Sequence, residues 1–127
     1  MSISNHLKEN RLVATADEVT IHRLKDAAER SFRWSDVSRV VAYKIDLFSF
    51  DQVRISFFTE AYQPFEISED DDGFRDVMTA AETVIAGFPK LDGWKPSVVA
   101  EPFARSETVL WPPPTKHRQN MRMESNG

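Results

Sequence analysis

Glu69-Asp70-Asp71-Asp72-Gly73 is the densest run of chemically capable side chains in the sequence. Four successive carboxylates offer oxygen ligands to a hard cation, or negative charge to a basic partner. An EF-hand calcium loop needs ligands at spaced positions, glycine at the sixth and a bidentate glutamate at the twelfth. With Gly73 in sixth place, Asp70 and Asp72 fall third and fifth, but Ser68 stands first and Thr79 twelfth. Both ends of the pattern fail, so no metal is expected. Two readings of the run stay open. Asp72 could cap a following helix while its neighbours line a solvated turn. Alternatively, Glu69, Asp70, Asp71 and Asp72 form an acidic contact surface for a basic protein.

The second candidate is apolar. Leu47, Phe48 and Phe50 lie between Asp46 and Asp51, in a stretch that reads as a connection between two strands. Apolar side chains at a loop tip can form a binding patch. The competing reading is that the strands run further and the side chains serve the core.

Other catalytic patterns are missing. His6, His22 and His117 are scattered, and there is no cysteine, so thiol nucleophiles and disulfides are ruled out and the ligand pool for a zinc site is small. Gly73, Gly87, Gly93 and Gly127 are too far apart for a phosphate-binding fingerprint, and no G-x-S-x-G elbow occurs. Trp34, Trp94 and Trp111 read as packing residues rather than a ligand cage. No enzyme and no cofactor are expected.

The elements that must position these residues follow from patterning. Residues 12–15, 19–24, 30–34, 37–45, 53–57 and 65–67 alternate apolar and polar side chains or are rich in β-branched ones, as strands do. Their connections are short, which favours antiparallel hairpins. Phe74, Val77, Met78, Ala81, Val84 and Ile85 recur at helical spacing and make one apolar stripe. Gly87 and Pro89 then end a helix spanning about 73–87. Beyond Pro89 the pattern weakens. Residues 90–102 read as a wrap over the body, and 107–111 as a last strand or an apolar clasp.

Composition bounds the rest. A chain of 127 residues fits one domain, and 41% hydrophobic content is enough for a core. The organisation expected is a flexible N-terminus (1–10), one α+β domain (11–111) and a Pro-rich, then disordered tail (112–127). The tail holds Lys116, Arg118 and Arg122 against Glu124, a balance of +2 that leaves −6 for residues 1–111 out of a net charge of −4. An acidic body disfavours nucleic acid and anionic membranes and suits a basic protein partner. Residues 1–10 lack the apolar core of a secretory signal, and no apolar run approaches the ~18–20 residues of a membrane helix. A cytoplasmic location is expected.

Trp34-Ser35-Asp36-Val37 before a long strand, with strands followed by one amphipathic helix, resembles small bacterial pleckstrin-homology-like domains over roughly residues 12–87. The resemblance implies a curved antiparallel sheet or open barrel of five to seven strands closed by one helix. It also implies a binding scaffold rather than an enzyme. Some 25 residues of folded-looking chain follow that helix, unlike the usual arrangement. Asp46 and Asp51 offset Lys44 and Arg54, so a lipid headgroup is not expected. The function expected is non-enzymatic protein binding, in its sharpest form an immunity-type protein whose acidic surface neutralises a basic partner. The alternatives are a small-ligand binder, an enzyme with an unrecognised pocket, or a homodimer joined through residues 47–50 or a strand edge.

Overall fold

A computed structural model describes residues 8–47, 50–102 and 106–114 of the chain. Alternation makes the strands. In β1 (Asn10–Ala14) and β2 (Glu18–Arg23), Leu12 pairs with Ile21 and Ala14 with Val19, which puts the apolar side chains on one face. The turn between them closes on Thr15, whose Oγ1 accepts from Asp17 N and Glu18 N, both at 3.1 Å. β3 (Glu29–Arg33) adds Phe32 opposite Val19 and Arg30 opposite Ile21. These three strands form an antiparallel sheet in the order β1-β2-β3.

A single 3-10 turn, Trp34–Asp36, leads to the second sheet. Trp34 is buried there, and its Nε1 donates to Thr15 O at 2.9 Å. The second sheet is antiparallel in the order β6-β5-β4-β7, built from β4 (Arg39–Leu47), β5 (Phe50–Phe58), β6 (Phe65–Ser68) and β7 (Thr108–Trp111). Phe32, Trp34, Phe57 and Phe65 meet between the sheets with ring centroids 5.0–5.9 Å apart. Such aromatic pairs add to simple area burial.

Helix α1 (Phe74–Val84) buries Phe74, Val77, Met78 and Ala81. Helix α2 (Leu91–Val99) buries Leu91, Trp94 and Val98. Both stripes join the cluster that contains Val40, Ala42, Val53, Ile55 and Phe57.

The architecture is α+β, as expected, with three departures. The strands form two sheets that do not close into a barrel, rather than the one curved sheet or open barrel expected. A second helix occupies the region read as a wrap. Its Pro96 sits inside the helix and removes one backbone donor, a cost that the packing of Leu91, Trp94 and Val98 offsets. Finally, α1 stops at Val84, and its N-cap is Gly73 at φ 89° with no side-chain cap, not Asp72. The reason is a close crossing: Leu12 N donates to Asp72 O at 2.8 Å. A Cβ at position 73 would lie 2.3 Å from Leu12 O.

Candidate functional site

Each carboxylate of the acidic turn has a different neighbourhood. Asp71 is buried, and its side chain accepts from four donors. Glu9 N (3.1 Å) and Asn10 N (3.0 Å) reach Oδ1, while Asn10 Nδ2 (3.1 Å) and Ser68 N (2.9 Å) reach Oδ2. It ties β1 to the end of β6. Glu69 is half-buried. Its Oε1 accepts from Val53 N at 3.0 Å, and its Oε2 lies 2.6 Å from Lys95 Nζ on α2. Asp70, also half-buried, accepts from Gln52 Nε2 at 2.8 Å. Asp72 is the outermost, with 53% of its side chain exposed and an ion pair to Lys8 at 2.9 Å.

The apolar candidate proves to be strand. β4 runs through Leu47 and β5 starts at Phe50, with Leu47 paired to Phe50 and Asp46 to Asp51. The expected loop over 46–51 is thus replaced by hairpin ladder at all four of those positions. Leu47 is half-buried and Phe50 is 40% exposed. Phe48 lies outside the described residues.

Topology brings the two candidates to one end of the molecule. Arg54 pairs with Ser68, so residues 69–72 emerge beside the start of β5 at residues 50–53. The Gln52–Asp70 hydrogen bond links them directly. Asp46 and Asp51 add two carboxylates to the same end. The hydrogen bond that Asp46 shares with Asp51, foremost, holds its carboxyl above the usual carboxylate range. Lys44, buried two rungs along, places its Nζ 3.5 Å from Asp51 Oδ2 and donates to Val99 O at 2.9 Å.

A second polar system runs along the same sheet. Glu66 accepts from Tyr43 OH at 2.6 Å and from Arg54 Nη1 at 2.9 Å. Arg54 Nε donates to Gln52 Oε1 at 3.0 Å, and its Nη2 meets Glu9. Burial works against the Arg54 charge, but Glu66 and Glu9 outweigh it and hold the guanidinium above its ordinary value. Arg54 borders a cleft of about 400 Å³ between the first sheet and β6. Sequence patterning pointed to none of this. Glu66 and Arg54 are single polar residues in strands, and only their cross-strand register joins them.

The remaining candidates stay separate. His22 is a half-buried strand residue 3.2 Å from Glu29. Trp34 and Trp111 spend their indole N–H groups on backbone carbonyls. Buried Trp94 leaves its Nε1 without a hydrogen-bond partner among the described residues. Among the described residues, no three histidine or carboxylate side chains gather into a metal-binding group, and no helix is long and apolar enough to cross a membrane. Comparison with family models, with curated proteins and with solved structures finds no match.

Proposed function

We propose that this protein is a non-enzymatic binding module that docks a basic protein partner at the hairpin end. The observation that carries the reading is the juxtaposition of Asp46, Asp51, Asp70 and Asp72 with Leu47 and the exposed Phe50. An exposed aromatic at the end of a hairpin that also carries carboxylates suits a partner with apolar and cationic residues. The aromatic supplies an anchor, and the charges steer encounter and set register. The raised Asp46 carboxyl fits the same reading, because an incoming cation would relieve its repulsion with Asp51. An immunity-type role, in which this end neutralises a basic toxin, is the sharpest form of the proposal.

The scaffold supports a pleckstrin-homology-like reading through its seven antiparallel strands, its Trp34-Ser35-Asp36-Val37 element and α1. Against that, β7 returns to β4 only after both helices. Charge reversal tests the docking surface. Asp46→Lys with Asp72→Lys should abolish salt-sensitive capture of a partner from the cell that encodes the protein. Equal capture by the variant and the unmodified protein would refute the proposal. Asp71 is unsuited to such a test, since its carboxylate holds backbone donors.

A further inference from the structure

Away from the hairpin end, the gap left between the two sheets has the make-up of a small-molecule site. The cleft of about 400 Å³ has Ile21, Ile67 and Pro64 in its lining, with polar atoms of Asn10 and Ser68 beside them. Charged side chains share this lining, and a hollow of a few hundred Å³ that combines apolar walls with convergent polar groups can seat a small ligand.

Charge distinguishes it from the rest of the protein. The cleft adjoins a second hollow, sharing Glu9 and Arg23 with it, and together the two are lined by five cations and two carboxylates. The protein as a whole is acidic. A concave, locally positive wall concentrates anions.

The cations are not equivalent. Arg54 is matched by Glu9 and Glu66. Asp26 holds Arg23 through Nε and Nη2 at 3.0 and 2.9 Å, and Asp72 holds Lys8. Arg30 has no carboxylate within ion-pair distance among the described residues. Its guanidinium carbon sits 4.0 Å above the centre of the Phe65 ring. Its Nη1 and Nη2 reach only the carbonyls of Pro64 and Gln63, at the long distances of 3.4 and 3.3 Å. A guanidinium has five N–H donors, so most of the fork is unspent. Contact with the ring holds the guanidinium in place, which lowers the entropy lost when an anion binds. Arg30 shares the inward face of β3 with Phe32, two residues on. It therefore lines the mouth of the gap rather than the outer surface.

We infer that this cleft binds a small organic monocarboxylate. The carboxylate is forked by Arg30, and a short apolar body lies against Ile21 and Ile67. A single negative charge matches Arg30, the one cleft guanidinium with no carboxylate partner among the described residues. A dianionic phosphate would meet Glu9 and Glu66 across a space of this size and is disfavoured.

Titration of ¹⁵N-labelled full-length protein with hexanoate, hexanamide and inorganic phosphate tests the inference. Hexanoate should shift the Arg30 Nε–H and the amides of Glu66 and Ser68 saturably. Hexanamide and phosphate should bind at least about tenfold more weakly, the scale of one charge-assisted fork. Arg30→Met keeps the stem on Phe65 and should remove the hexanoate response, while the unaffected remainder of its spectrum reports the intact fold. Arg30→Lys, with charge but no fork, should weaken the response several-fold. Equal shifts from hexanoate and hexanamide, a full response in Arg30→Met, or shifts mapping away from the cleft would each overturn it.

Discussion

Neighbouring carboxylates can carry opposite duties, and the acidic turn shows it. Asp71 and Asp72 are adjacent, yet one is enclosed by four N–H donors while the other faces solvent. Hydrogen bonds to a buried charge are worth more than an exposed ion pair. Asp71→Asn should therefore cost about 1.5–3 kcal/mol of stability, and Asp72→Asn no more than about 0.5 kcal/mol, both read from urea denaturation. Asp46 gives a prediction of different sign. Its folded-state carboxyl titrates above the ordinary value, chiefly through the hydrogen bond it shares with Asp51. The folded state thus holds that proton more tightly than the unfolded chain does. The resulting stabilisation is present in acid and is lost as pH rises through the folded value. Asp46→Asn removes the repulsion, so its stability relative to the unmodified protein should rise from acid to neutral pH. Parallel denaturation curves at pH 3 and pH 7 check this, and an unchanged difference would contradict it.

At the scale of elements, two glycines make a controlled comparison. Gly73 and Gly87 both have positive φ, at 89° and 82°. A Cβ at Gly87 meets nothing within 4 Å, whereas one at Gly73 strikes the backbone of Leu12. Gly87→Ala should cost about 1–2 kcal/mol, the price of a left-handed alanine. Gly73→Ala should cost distinctly more, because β1 or the start of α1 must also shift. Thermal or chemical denaturation of the pair separates conformational strain from steric contact.

The same elements show what sequence can carry. Six of the seven strands among the described residues and α1 were legible, because period-two and period-3.6 patterns report directly on which face is buried, while β7 stayed open between a strand and an apolar clasp. Leu91, Trp94 and Val98 carry the same helical spacing, but Gly93 and Pro96 mask it, and the packing that overrides Pro96 is tertiary. Asp72 reads as a cap by residue type. The backbone bond from Leu12, which commits its carbonyl to a residue sixty positions earlier, is invisible to local pattern.

For the whole molecule, the decisive feature is where the sheets fail to join. Seven strands split three and four, and the gap between them leaves a cleft on one side of an acidic protein. At the hairpin end, the ladder between β4 and β5 meets the turn into α1. Sequence named both parts of that end, the carboxylates and Phe50, without showing that register brings them to the same end. It gave no sign of the cleft, since Arg30, Arg54 and Glu66 look like solvent-facing strand residues until their cross-strand partners are known. The two surfaces touch through the Lys8–Asp72 ion pair and the Arg54–Gln52–Asp70 chain, and they are tested with different variants, Asp46 and Asp72 for the hairpin end and Arg30 for the cleft.

Photo-crosslinking tests the docking surface most directly. A photoreactive phenylalanine analogue at position 50 samples what touches the anchor, and the same analogue at position 62 serves as control, since Tyr62 is 98% exposed on the connection between β5 and β6. In the cell that encodes the protein, position 50 should give an adduct with one basic polypeptide that high salt suppresses and position 62 does not form. No adduct from position 50, or the same adducts from both positions, would contradict the assignment of this end as the binding surface.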